Sequence, residues 1–303
     1  MKKTIFLLFT GLLFVGCTTT KEEQYLSKFR KSFHYKTYRL ASKKAIQRAV
    51  AEYNTTAPEP IENEKAHALL GITWFIAARN DYSFIEADLV KATSTPENKM
   101  LALGLQSIAL SKMKCPTLAG AYYKELKESF STQQKSAPRV AQAEHKMVLT
   151  SLIAVSLYQD DLDFAKAAAD AFGTGSQLDY LSPLLGAVIE TKAGDPHKAV
   201  AQLQELSKRD TFSAGTKKLF SDTADIIKNC PEEEQRGQVL MDKLILQLVK
   251  GALDDLFSDE NQLAFLKKIT VFAAPLAKEW SALQPSAAEF PERPAPAQGL
   301  NPN

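Results

Sequence analysis

The amino-acid sequence predicts an all-α chain. Three observations carry the prediction: apolar residues recur at helical spacing along most of the 303 residues, helix-start signals punctuate them, and no alternating strand-like run of useful length occurs. With 45% hydrophobic and 24% charged residues, the composition is that of an ordinary globular chain able to bury a core. There are 37 Lys and Arg against 35 Asp and Glu, and two of the basic residues, Lys2 and Lys3, fall in the leader described next. The processed chain is therefore neutral, which removes any net-charge argument for nucleic acid.

The first element is a leader. Met1-Lys2-Lys3 is a charged start, and Ile5 to Val15 is an apolar run of signal-peptide length. It is too short to span a bilayer, which takes ~20 residues. Phe14-Val15-Gly16-Cys17 closes the run and resembles the lipobox of bacterial lipoproteins, with Phe14 where leucine is preferred. The resemblance implies a signal peptide over 1–16, a diacylglycerol on the Cys17 thiol, cleavage before Cys17 and acylation (palmitate-type) of the new amine. Several chains hold durably because each buried methylene contributes ~0.8 kcal/mol. Thr18 stands where an aspartate would favour inner-membrane retention, so the implied location is the outer membrane, lipid-anchored and facing the periplasm. A plain secretory signal cut elsewhere and an uncleaved anchor are the alternatives.

Residues 17–60 follow as a tether and basic N-terminal helices. From Lys21 to Arg48, the basic residues Lys21, Lys28, Arg30, Lys31, Lys36, Arg39, Lys43, Lys44 and Arg48 face only Glu22 and Glu23. Tyr25, Phe29 and Phe33 fall four apart, on one face of a helix. That stripe either packs on the next helix with its lysines in water or rests on anionic headgroups. Packing is the expectation, since helical stripes are usually core.

"NTTAPEPIENE", Asn54 to Glu64, reads as a loop through Pro58 and Pro60. Helical repeats are expected over 61–210, with a start at Thr95-Pro96-Glu97. C-terminal helices are expected over 211–283. One follows Cys230-Pro231 and presents Met241, Leu244, Ile245, Leu248, Ala252 and Leu256 on one face; another is capped by Ser258. Residues 284–303, rich in Pro and Ala, read as a disordered tail.

The repeat signal is internal. "YQDDLDFAKAAADAF" and "KAGDPHKAVAQLQEL" superpose with Ala165 on Ala199, 34 residues apart. "RNDYSFIEADLVKA" and "MKCPTLAGAYYKEL" superpose with Ile85 on Ala119 at the same spacing. The interval from Ala119 to Ala165 is twelve residues longer, which the loop-like "STQQKSAPR" absorbs. Ile85, Ala119, Ala165 and Ala199 thus occupy a small-residue position early in a second helix. Asn80-Asp81, Lys114-Cys115, Asp160-Asp161 and Gly194-Asp195 occupy the turn before it. Leu70-Gly71 and Leu185-Gly186 stand in the first helices. This pattern resembles the tetratricopeptide repeat family over about half the chain, which implies a helical-hairpin solenoid; another α-solenoid or a helical bundle remains the alternative.

No catalytic constellation stands out, so the chain is expected not to be an enzyme. The four histidines are His34, His67, His145 and His197. Glu64-x-x-His67 has the spacing of a carboxylate-bridged metal pair but lacks a second such pair, so no metal or cofactor is expected and His67 reads as a surface or cap residue. "GTGSQ", Gly173 to Gln177, lacks the Gly-Lys-Ser/Thr of a phosphate loop. Cys115 and Cys230 remain as a candidate disulfide in an oxidising compartment, whereas repeats stacked in line hold them too far apart and favour two buried thiols. Known tetratricopeptide lipoproteins imply an envelope protein or peptide as partner, a membrane reached through the lipid, and no nucleic acid. Candidate partner surface falls on first-helix positions Thr73, Ile76, Ser107, Leu110, Ser156 and Glu190. The alternative is a helical periplasmic receptor for a small molecule, lipid or glycan fragment.

Overall fold

The computed structural model describes residues 20–55, 60–91, 95–136, 143–170, 181–231 and 238–256, and these hold twelve α-helices and no strand. The leader, Cys17, Gly173 to Gln177, the glutamate run after Pro231, and everything from residue 257, including the expected tail, lie outside the described residues. Helices α1 (Lys21–Lys31) and α2 (Phe33–Asn54) precede four hairpins. The hairpins are α3 (Asn63–Ile76) with α4 (Asn80–Lys91), α5 (Pro96–Lys112) with α6 (Pro116–Ser136), α7 (Ala143–Tyr158) with α8 (Leu162–Asp170), and α9 (Leu181–Ala193) with α10 (Pro196–Leu206). Helices α11 (Ala214–Lys228) and α12 (Gln238–Leu256) follow.

All four hairpins turn in the same way. Each first helix ends on a residue with left-handed backbone: Ala78 (φ 58°), Lys114 (61°), Asp160 (57°) and Gly194 (101°). The next amide then bonds back five residues, Arg79 to Trp74, Cys115 to Leu110, Asp161 to Ser156 and Asp195 to Glu190, at 2.8–3.0 Å. This is the Schellman closure, which satisfies carbonyls that a helix end would otherwise leave bare. Four residues after that amide comes Ser83, Ala119, Ala165 or Ala199, each fully buried.

That register corrects two expectations. The small position of the first hairpin is Ser83, not Ile85, and its turn is Ala78-Arg79, not Asn80-Asp81. Successive hairpins are therefore 36, 46 and 34 residues apart. The long interval is absorbed partly by helix rather than loop, because α6 continues through the expected loop residues Ser131 to Ser136.

Burial follows from which helix is flanked. Each second helix packs on its own first helix, and α4, α8 and α10 pack also on the helix that follows the hairpin. First helices pack on one another, α3 on α5 and α5 on α7. Helix α5 is consequently buried without a break from Met100 to Leu110, as a helix apolar on all sides must be. Its start is the expected one, Thr95 Oγ1 accepting from the Asn98 amide with Pro96 in the first turn. Helix α12 lies across α7, α9 and α11 and buries Leu240, Met241, Leu244, Ile245 and Leu248.

The N-terminal helices dock on the outer side of this stack. Thr20 and Glu23 form a capping box at the start of α1. Ser32 alone joins α1 to α2; its hydroxyl donates to the Phe29 carbonyl and accepts from the Tyr35 amide. Because the chain bends there, the aromatic stripe splits: Phe29 is core, whereas Phe33 is 77% exposed. Glu22 accepts from the amides of Thr117 and Leu118 at 3.3 and 2.8 Å, so α1 supplies the carboxylate cap that the α6 terminus lacks in its own sequence. The Asn54 side chain bonds both backbone groups of Ile61.

Candidate functional site

The densest polar chemistry among the described residues is centred on α4, whose Glu86 and Asp88 point to opposite sides. Two residues apart on a helix, they stand about 200° from one another. Glu86 is fully buried. Its Oε1 accepts from Tyr38 Oη at 2.6 Å and from Ser42 Oγ at 2.5 Å, while Oε2 lies 2.6 Å from His67 Nδ1. Tyr38 Oη in turn accepts from Trp74 Nε1 at 2.6 Å. One carboxylate therefore ties α2, α3 and α4 together. Burial raises the Tyr38 phenol well above its usual range, and the neighbouring Glu86 adds to the rise. The Tyr38 ring stacks on Tyr82 with centroids 4.3 Å apart, and Trp74 tilts against Tyr82 at 5.1 Å.

Asp88 gathers the other side. Arg30 approaches it through two nitrogens at 2.9 and 2.7 Å, Tyr35 Oη donates at 2.6 Å, and Gln106 Nε2 donates at 2.6 Å. Arg30 also donates to Tyr122 Oη at 3.2 Å. The bidentate fork fixes α1 against α4 and α6 as a single ammonium would not. Burial raises the Tyr35 phenol, and Asp88 reinforces the shift.

At the rim, His34 lies 3.3 Å from Asp81 and stacks on Tyr82 at 5.3 Å, and the Arg79 guanidinium sits 4.0 Å from the Tyr82 centroid. Burial pushes the Asp81 carboxyl up, but hydrogen bonds from His34 and then Arg79 more than offset it and hold it below the usual range. Two further carboxylates repeat the motif. Asp161 caps α8, accepting from the Phe164 amide while taking bonds from Tyr123 and Lys127; Asp242 takes Lys112 and Tyr158.

Each carboxylate oxygen of Glu86 and Asp88 lies within hydrogen-bond distance of protein groups, while Gln106 Oε1 beside them is buried without a partner. Among the described residues no group of three or more His, Cys, Asp or Glu is arranged to hold a metal. Nor is any described helix long and apolar enough to cross a membrane.

The candidate residues read from the sequence scatter. Ser107 and Ser156 are fully buried and offer no surface: Ser107 Oγ donates to the Ala119 carbonyl, and Ser156 Oγ donates to the Leu152 carbonyl while accepting from Tyr123 Oη. Leu110 is buried too, and Ile76 packs half-buried on the core. Thr73 and Glu190 keep contact with solvent, Thr73 donating to the Leu69 carbonyl and Glu190 pairing with Lys198 at 2.9 Å. His67 is a buried network member, not a surface or cap residue. Its signal was the tyrosine, serine and glutamate elsewhere that only folding brings to it. Cys115 and Cys230 are not joined in a disulfide. Cys115 is buried in the second turn, where burial and then Glu22 push its thiol up to about 11; Cys230 is only partly buried.

Comparison with protein-family models, with characterised proteins and with solved structures finds no match to this chain.

Proposed function

We propose that this chain is a membrane-anchored, non-enzymatic interaction or assembly factor of a bacterial cell envelope, built as a tetratricopeptide-like helical-hairpin solenoid. The observation that carries this reading is the shared turn: four hairpins with one left-handed residue, one five-residue back-bond and one buried small residue at matching positions. Stacked hairpins of that kind present extended surfaces suited to other chains. The lipobox-like Phe14-Val15-Gly16-Cys17 supplies the anchor, which fixes the array at the outer membrane facing the periplasm. Carboxylate networks that tie helices to one another suit a scaffold.

Partner contact is assigned to the first-helix side near Thr73, since α12 already lies across the first helices of hairpins three and four. A photo-crosslinking residue at Thr73, with one at the exposed outer position Gln204 as control, tests this in intact cells. One identified envelope protein captured at Thr73 in fixed stoichiometry supports the proposal. A small ligand retained through purification, with no protein captured, points instead to a helical receptor. The anchor has its own test: labelled palmitate entering the wild type but not Cys17→Ala supports it, and no incorporation in either refutes it.

A further inference from the structure

Helix α2 carries an exposed, strongly basic outer face. Between Phe33 and Ala51 it has Lys36, Arg39, Lys43, Lys44 and Arg48 and not one acidic residue, and all five cations are exposed. None of them forms an ion pair among the described residues, in contrast to Arg30, which is held by Asp88. The face is not purely cationic. The described residues contain three exposed large apolar side chains, Phe33, Leu40 and Val239, and two of them lie here. Phe33 and Leu40 are seven residues apart and so nearly in line along the helix, with Lys36 and Lys43 on one flank and Lys44 and Arg48 on the other.

We propose that this face of α2 docks on an anionic lipid surface, Phe33 and Leu40 entering the headgroup layer while the flanking lysines and arginines meet lipid phosphates. Charge complementarity alone would also suit an acidic protein or a nucleic acid. Those partners leave Phe33 and Leu40 in water, whereas an interface that is apolar beneath and anionic above takes both components. The surrounding chain is neutral, so the attraction is local to this helix rather than a property of net charge. The inference stands apart from acylation at Cys17, because it rests on residues of α2 alone.

The test is flotation of the full-length chain with vesicles of phosphatidylcholine alone or of phosphatidylcholine mixed with phosphatidylglycerol. The apolar run from Ile5 to Val15 contributes equally to both, so the readout is the preference for the anionic vesicles. Wild type should prefer them. At about fivefold per lysine, K36Q/K43Q/K44Q should lower partitioning to anionic vesicles about 100-fold and leave neutral vesicles unaffected. F33S/L40S should lower it about tenfold by removing apolar insertion. All five positions are exposed, so the variants should keep the wild-type circular dichroism. Should a variant lose it, the single changes Lys44→Gln and Leu40→Ser give the same comparison on a smaller scale. Equal wild-type binding to the two vesicle types overturns the proposal. So does an F33S/L40S variant that binds anionic vesicles like wild type, which would mark the face as a bare charge surface for an acidic macromolecule.

Discussion

Replacing Gly104 by alanine should weaken the protein, and removing the Ser151 hydroxyl as well should more than restore it. Gly104 lies mid-way along α5, where α7 crosses closely. A β-carbon built on it falls 2.2 Å from Ser151 Oγ but 3.5 Å from Ser151 Cβ. The first distance is a collision and the second an ordinary contact. The Ser151 hydroxyl is also buried without a hydrogen-bond partner, a state that costs about 1–3 kcal/mol. Gly104→Ala alone gains about 1 kcal/mol of helix propensity and loses about 2 to overpacking, a net loss of about 1 kcal/mol. Ser151→Ala alone should gain about 1 kcal/mol. The double variant keeps both gains without the collision and should exceed wild type by about 2 kcal/mol, so the two sites couple by about 2 kcal/mol. Urea unfolding of the four proteins, followed by far-UV circular dichroism, measures each term. A double variant equal to the sum of its singles would refute the collision between the added methyl and the Ser151 hydroxyl.

Three more outcomes follow from the same contacts. Glu86→Gln keeps the shape but turns an amide donor toward either Tyr38 and Ser42 or His67, and should cost about 2 kcal/mol in urea unfolding; an unchanged midpoint would mean the network is not formed. Ser83→Ala should be neutral or stabilising, its hydroxyl being buried without a partner, whereas Ile85→Ala should cost about 2–5 kcal/mol; the reverse order would restore the register with Ile85 in the small position. Tyr35, Tyr38, Tyr123 and Tyr158 are all raised above the usual tyrosine range by burial first, with carboxylate neighbours contributing. Their contribution to stability is complete below about pH 10 and is lost as pH rises toward the folded values, because the unfolded chain gives up those protons first. Each tyrosine kept protonated adds up to about 1.4 kcal/mol per pH unit to that loss. Unfolding midpoints that stay level between pH 9 and 11 would contradict it.

The helical class was legible because its signals are local: Thr95-Pro96, the spacing of Met241, Leu244 and Leu248, and Ala165 against Ala199 all survive in the fold. What failed was register in the first hairpin. Three of the four turns place Ala78, Lys114 or Asp160 in left-handed backbone, where a sequence normally announces itself with glycine, and only Gly194 does so. With no marker at Ala78, a fixed interval of 34 put Ile85 where Ser83 belongs. The networks around Glu86 and Asp88 were not legible because their members come from positions 18 to 58 residues away, and no spacing rule joins Arg30 to Asp88 or His67 to Glu86. Equally, the candidate surface at Ser107 and Ser156 failed because a helix flanked on every side turns its small hydroxyls to its own neighbours.

The placement of α12 changes how the molecule comes apart. Arrays of hairpins ordinarily unravel one unit at a time, since each touches only the next. Here Asp242 reaches back to Lys112 across 130 residues and to Tyr158 across 84, while Leu244 and Leu248 sit among the helices of hairpins three and four. Loss of any one of those units strips apolar cover from the others, so their backbone amides should exchange hydrogen at one common rate. Such long-range closure also delays folding, because α12 must be synthesised before the middle of the chain is sealed.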